Sequence, residues 1–208
     1  MRVGNSFSTY PVRVVVVMGV AGSGKSSVGA RVAERLDGAP FIEADTLHAP
    51  ECIAKMAAGV ALEDADRWPW LMRVRSRIDA AAAAALVAGR RAASAPASAT
   101  GPPQYVVCAC SALKRSYREL ISRGDPDALY DTVFVHLDVG RQELLDRLAR
   151  RQGHFAGPSL LDSQLAALEP PDAAREAAVT IDGARPADRV ADEACAWIQS
   201  YSRADVQQ

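Results

Sequence analysis

The eight residues GVAGSGKS at positions 19–26 fit the pattern G-x-x-x-x-G-K-[ST] without a mismatch, directly behind the apolar run RVVVVM at 13–18. Val14, Val15, Val16 and Val17 are β-branched with no polar alternation, as in a strand buried on both faces and hence in a parallel sheet covered by helices. Glycines let the turn that follows adopt positive φ and approach a ligand closely, so that successive N–H groups converge on phosphate oxygens. Residues 26–36 then carry Val28, Val32 and Leu36 at helical spacing, and the positive end of that helix faces the same anion. In this arrangement Lys25 reaches the β- and γ-phosphates of a nucleoside triphosphate, and the Ser26 hydroxyl ligates Mg²⁺. Gly19, Val20, Ala21, Gly22, Ser23, Gly24, Lys25, Ser26 and Ser27 are therefore the candidate nucleotide-binding residues.

Further along, strand patterns alternate with helical ones. Strands are expected at 40–45, 105–110, 132–138 and 179–182, and helices at 52–58 (stopped by Gly59), 66–88, 142–151 and 187–201. The alternation predicts an α/β chain with a five-stranded parallel sheet between helical layers. The 208 residues are enough for one domain, expected over 13–202 between an N-terminal tail (1–12) and a C-terminal tail (203–208). The stretch RAASAPASATGPPQ at 91–104 consists mainly of small residues with three prolines; it cannot build a packed core and reads as a surface insert.

With 24 basic and 25 acidic side chains the net charge is −1, so composition offers no basic face and nucleic acid is not an expected partner. No apolar run reaches the roughly 18 residues of a membrane span. Cys52, Cys108, Cys110 and Cys195 lack a secretory spacing and read as reduced thiols. The C-terminal VQQ is not a peroxisomal address of the S-K-L type, and the expected compartment is the cytoplasm.

The chain lacks the Asn-Lys-x-Asp clamp of a GTPase. Asp138, behind the apolar run 133–137, is either a strand end or the Mg²⁺ acid of an ATP-hydrolysing switch. Other segments are more specific: EADTLH at 43–48, KM at 55–56, LEDADRWPWL at 62–71, CSALK at 110–114, GHF at 153–155, LLDSQ at 160–164 and LEPP at 168–171. Together with the phosphate loop they resemble the gluconokinase family over about residues 13–200. The resemblance implies a shikimate-kinase-like P-loop kinase, with a mobile lid at about 147–170 and commonly a homodimer. The implied reaction takes D-gluconate and ATP-Mg²⁺ to 6-phospho-D-gluconate, a feed to the pentose phosphate pathway.

A polyhydroxylated carboxylate acceptor requires an acid for its hydroxyl, a cation for its carboxylate and charge compensation at the transferring phosphoryl. Asp45, at the carboxyl edge of the second strand, is the candidate for holding or deprotonating the attacking hydroxyl; its alternative is a cap on the next segment. Glu43, where the family usually has Asp, is a candidate for supporting Mg²⁺ through water. His48, Lys55, Arg67, Ser111, Lys114, Arg118 and Gln164 are the further substrate-binding candidates, Gln164 open to either substrate and Lys114 and Arg118 sharing a helix face at a spacing of four. Trp70 reads as core. Arg147 and Arg151, at the base of the expected lid, are candidates for clamping nucleotide and transferred phosphate. Lys25, Asp45, Arg147 and Arg151 make up the catalytic set. The chain departs from the family pattern at Cys52 (usually Asn), Ala61 (usually Pro) and Glu43. Cys52 keeps open a kinase for another polyol acid or shikimate.

Overall fold

The computed structural model describes residues 10–92, 104–122, 130–150 and 158–202. Five parallel strands, β1 (Val12–Met18), β2 (Phe41–Glu43), β3 (Gln104–Ala109), β4 (Tyr130–Asp138) and β5 (Ala178–Asp182), form one sheet in the order β2-β3-β1-β4-β5. The central strand β1 pairs with β3 on one side, Val14 opposite Val106, and with β4 on the other, Val15 opposite Val133.

All seven residues of β1 are buried, which explains the missing alternation. Val14, Val16 and Met18 pack against Trp70, Leu71, Val74 and Ile78 of α3 (Asp64–Ala92), and Tyr117 and Ile121 of α4 (Arg115–Ser122) extend the same layer. Val15 and Val17 pack on the opposite face against Val28 and Val32 of α1 (Lys25–Arg35) and Val190, Ala194 and Ile198 of α7 (Ala187–Ser200). Each such side chain contributes roughly 1.5–3 kcal/mol of burial, so the strand that carries the phosphate loop is the most firmly held part of the sheet. The polar exception in β1 is Arg13, whose guanidinium meets Asp131 of β4 and the carbonyls of Ile198 and Tyr201 at the end of α7.

Above the carboxyl edge, α5 (Arg141–Arg150) and α6 (Pro158–Ala167) bring Leu144 and Leu161 onto Val20, Leu113 and Val139, a small apolar cluster beneath the phosphate loop. Helix α2 (Pro50–Ala57) links β2 to α3 and ends before Gly59, whose φ is +73°. The expected element order holds, with shifted ends. Helix α3 begins at Asp64, two residues before the expected start, and runs on through Ala92 into the expected insert. β2 is only three residues long, and Asp45 lies in a 3-10 turn (Ala44–Leu47) beyond it rather than at its end. Helix α6 was not expected from the sequence. Residues 93–103 of the insert, residues 151–157 of the expected lid with Arg151, residues 1–9 and residues 203–208 lie outside the described residues.

Candidate active site

The phosphate loop leaves β1 at Gly19, whose φ of +146° suits a residue without a side chain; a Cβ there would stand 3.0 Å from the Leu137 carbonyl and 2.8 Å from Ser23 Oγ. Helix α1 starts at Lys25 behind Gly24, with no side-chain cap and no acid in its first turn, so its leading amides and positive dipole end remain available to an anion. Lys25 is buried and its ammonium donates to the Val20 carbonyl at 3.0 Å. The Ser23 hydroxyl is buried without a partner among the described residues, a polar atom left for a ligand. Beside the loop a cleft of about 510 Å³ opens between Gly22, Ser27, Arg147, Arg150 and the turn after β5. Arg147 bridges its walls. It donates Nη1 to Ser23 O at 3.4 Å and Nη2 to Ala184 O at 3.2 Å, while Nε holds Glu143 at 2.7 Å. The turn at 183–187 was not singled out in the sequence. Its signal is Gly183, where a Cβ would meet Val139 Cγ2 at 2.7 Å.

On the other side of Lys25 lies a second group of side chains. Ser26 neighbours the Glu43 carboxylate; desolvation, opposed by the Ser26 hydroxyl, pushes the Glu43 pKa above the usual carboxylate range. Glu43 Oε1 is buried with no hydrogen-bond partner among the described residues. The Asp45 carboxylate is close enough to raise the Glu43 pKa further, is exposed, and makes no hydrogen bond or ion pair to the described residues. The His48 ring stacks on Trp70 with centroids 4.3 Å apart and planes 10° from parallel. Burial lowers its pKa to about 4, with Asp45 acting against the shift and Arg67 and Arg73 acting with it. His48 is therefore neutral at pH 7, and its Nδ1 is a further buried atom without a partner among the described residues. Trp70 is core, as expected, with Nε1 on Ala44 O at 2.8 Å, and it also backs His48. Arg67 is buried and donates Nε to Leu62 O at 3.3 Å, with no described partner on its terminal nitrogens. Asp45, His48 and Arg67 thus form a hydroxyl acceptor, a neutral polar ring and a cation on the phosphate-loop side of the sheet.

The structure distributes the other expected substrate ligands differently. Lys55 is paired with Asp66 at 2.6 Å, and Lys114 with both Asp64 oxygens at 2.7 and 2.8 Å. Tyr117 also donates to Asp64, so that carboxylate ties the start of α3 to α4. Lys114 precedes α4 and does not share a helix face with Arg118. Arg118 is a correction: it is 1% exposed, donates to the carbonyls of Ala112, Leu113 and Glu169, and ion-pairs with Glu176, so its guanidinium is committed inside the protein. Ser111 is buried at the carboxyl edge, its carbonyl receiving the Gly19 N–H at 3.4 Å. Gln164, on α6, accepts the Ala21 N–H at 2.7 Å and so belongs to the nucleotide side. Cys52 is buried, with Sγ 4.0 Å from Asp66 O. Sequence reading missed the turn these residues support: Ala112 has a φ of +44°, rare without glycine, and Glu169 accepts the Arg115 N–H there at 2.7 Å. Asp138, the acid of the switch alternative, is exposed at the end of β4, and its backbone oxygen takes the Gly183 N–H.

A parallel sheet with this strand order, a glycine-rich anion loop on its central strand and an Asp–His–Arg group on the other side of Lys25 from the cleft define a P-loop kinase for a small acceptor. A family model described as an AAA domain matches residues 14–171. The gluconokinase of Gluconobacter oxydans is 42% identical, over 87% of this chain and 88% of that protein. A gluconokinase structure from Sinorhizobium meliloti superposes with a TM-score of 0.68 at 38% identity, over 95% of this chain and 99% of that one. An unliganded sugar kinase from a Janibacter species gives a TM-score of 0.74 at 38% identity, over 90% and 95% of the two chains. The chain belongs to the gluconokinase family.

Proposed function

We propose that this protein transfers the γ-phosphoryl group of ATP to D-gluconate, giving 6-phospho-D-gluconate and ADP. The observation that carries the reading is the Asp45 carboxylate, unpaired among the described residues, beside the Lys25–Ser26–Glu43 group with His48 and Arg67 near it, on a chain of this family. Asp45 holds the attacking hydroxyl and accepts its proton as the oxygen bonds to phosphorus and the bond to the ADP oxygen breaks. Arg67 faces the acceptor carboxylate. Neutral His48 hydrogen-bonds acceptor hydroxyls. Lys25 and Arg147 compensate charge on the transferring phosphoryl, and the 183–187 turn walls the base side of the cleft. Arg151 and the lid are assigned the same clamping role by the family resemblance.

Mg²⁺ suits the donor set: an octahedral ion that keeps several waters and binds substrate phosphates needs only one or two protein oxygens. Ser26 Oγ would hold it directly and Glu43 through water; when bound it supplies neutralisation of β- and γ-phosphate charge. Lys55 and Lys114 reach the acceptor by exchanging Asp66 and Asp64 for its carboxylate, and Ser111 contributes from the β3 edge. We further assign one domain over 13–202, a homodimer and the cytoplasm. Four buried free cysteines fit a reducing compartment, and among the described residues no helix is long and apolar enough to cross a membrane.

The test is ADP release from purified protein with ATP and Mg²⁺, with and without D-gluconate, beside its close relatives and shikimate. Gluconate-dependent turnover well above background hydrolysis is expected, abolished in Asp45→Asn with ATP binding retained. Hydrolysis indifferent to every acceptor would overturn the assignment.

A further inference from the structure

One peptide unit of the phosphate loop is gripped from both ends. The carbonyl of Val20 receives the Lys25 ammonium at 3.0 Å and the Ser23 N–H at 3.2 Å, while the N–H of the same peptide, on Ala21, donates to Gln164 Oε1 at 2.7 Å. In a trans peptide the C=O and N–H point in opposite directions, so Lys25 and Gln164 lie on opposite sides of the loop. A backbone N–H only donates, which fixes the orientation of the Gln164 amide: the oxygen must face Ala21. The helix that carries Gln164 is itself tied down. Asp162 of α6 takes two hydrogen bonds from Arg141 at the start of α5, at 2.8 and 2.9 Å, and Leu161 packs into the cluster that contains Val20.

We infer that Gln164 is a positioning residue for phosphoryl transfer, acting through the Val20–Ala21 peptide on Lys25. Rotating that peptide by half a turn would aim an N–H at the lysine ammonium and remove the carbonyl that holds it. Gln164 stabilises the opposite orientation, in which the oxygen faces the lysine, and so keeps the ammonium within the loop. Its position on α6, a described helix within the span of the expected lid, joins the seating of that helix to the readiness of the loop. The inference rests on the kinase reading for its effect on turnover, but its effect on ATP binding is independent of any acceptor.

The experiment compares the full chain with Gln164→Met, which fills the same space without an acceptor, Gln164→Glu, which keeps the oxygen, and Gln164→Ala. ATP affinity is measured by calorimetry, and kcat by gluconate-dependent ADP release. The Met and Ala variants are expected to lose about five- to tenfold in ATP affinity or kcat, the worth of one hydrogen bond, with the Glu variant recovering most of the loss. In a Lys25→Met background the Gln164→Met change is expected to have no further effect on ATP affinity, because its target is gone. The inference is overturned by a Met variant at wild-type level, by a Glu variant as impaired as Met, or by additive losses in the double variant. Correct ATP-binding results without gluconate turnover would instead sink the acceptor assignment and leave Gln164 in place.

Discussion

Arg118 and Glu176 form a two-pronged ion pair, Nε to Oε2 at 2.6 Å and Nη2 to Oε1 at 2.9 Å, with the arginine almost wholly out of water. Its Nη1 holds the carbonyls of Ala112, Leu113 and Glu169, so one side chain braces the left-handed turn behind β3 from three directions. Glu176 is held below the usual carboxylate range: burial raises its pKa, but the hydrogen bonds and charge of Arg118 outweigh that. Removing the acid leaves a guanidinium buried and unpaired, which costs about 3–5 kcal/mol. Glu176→Ala is therefore expected to lower the urea midpoint markedly, whereas a surface change such as Glu51→Ala leaves it nearly unchanged. An unaltered midpoint would show that Arg118 finds water or another partner.

The same residue marks the limit of what the sequence discloses. The phosphate loop and the alternation that implies a five-stranded parallel sheet are legible because each is written in contiguous segments with few other uses, and the Asp45, His48 and Arg67 candidates come from short motifs that resemble the family. Arg118 looks like an acceptor ligand in the CSALKRSYR stretch because its partner lies 58 residues away, and ion pairing at that range leaves no local trace. Lys55 and Lys114 look free for the same reason. Helix α6 was missed because its buried leucines, Leu160 and Leu161, are adjacent rather than spaced along a helical stripe. The Ala112 turn was missed because alanine gives no warning of a positive φ.

Cations on the acceptor side divide into paired and unpaired. Lys55 and Lys114 each hold an aspartate, whereas the terminal nitrogens of Arg67 have no described partner. The carboxylate of the acceptor meets least competition at Arg67. Arg67→Met is expected to raise the KM for gluconate by roughly tenfold to a hundredfold, the range for a hydrogen bond to a charged group, and to leave the ATP KM within about twofold. Lys55→Met is expected to change the gluconate KM less, since Asp66 already neutralises that lysine. Steady-state kinetics with each substrate varied in turn decides the order; a larger effect at Lys55 would relocate the carboxylate.

His48 links this site to acid stability. Its pKa falls from 6.5 in the unfolded chain to about 4 in the folded protein, chiefly because burial against Trp70 disfavours the charged ring. The unfolded chain thus binds a proton below about pH 6.5 that the folded protein refuses until near pH 4, and stability falls as the pH drops through that window. The full effect is at most about 3 kcal/mol. His48→Gln removes the titration, so the difference in unfolding free energy between variant and parent is expected to shift in the variant's favour from pH 7 to pH 4. A constant difference, followed by urea denaturation at several pH values, would mean that the ring stays charged or solvated in the folded state.

At the opposite edge of the sheet, Arg13 and Asp131 offer a control on the separation of stability from chemistry. They are register neighbours on β1 and β4, nearly excluded from water, and joined at 3.0 Å, with Arg13 also capping α7 through the Ile198 and Tyr201 carbonyls at 2.8 and 3.1 Å. The pair therefore fastens the sheet's amino edge to the last helix, and the full length of β1 separates it from Lys25. Asp131→Ala strands the guanidinium and is expected to cost about 3–5 kcal/mol in unfolding free energy. Because the carboxyl edge is held by its own clusters around Val20 and Leu144, the surviving folded molecules are expected to keep the parent's KM for both ATP and gluconate. Measuring KM below the melting transition separates the two effects, and an altered gluconate KM in Asp131→Ala would mean that strain at the amino edge travels along β1 into the phosphate loop.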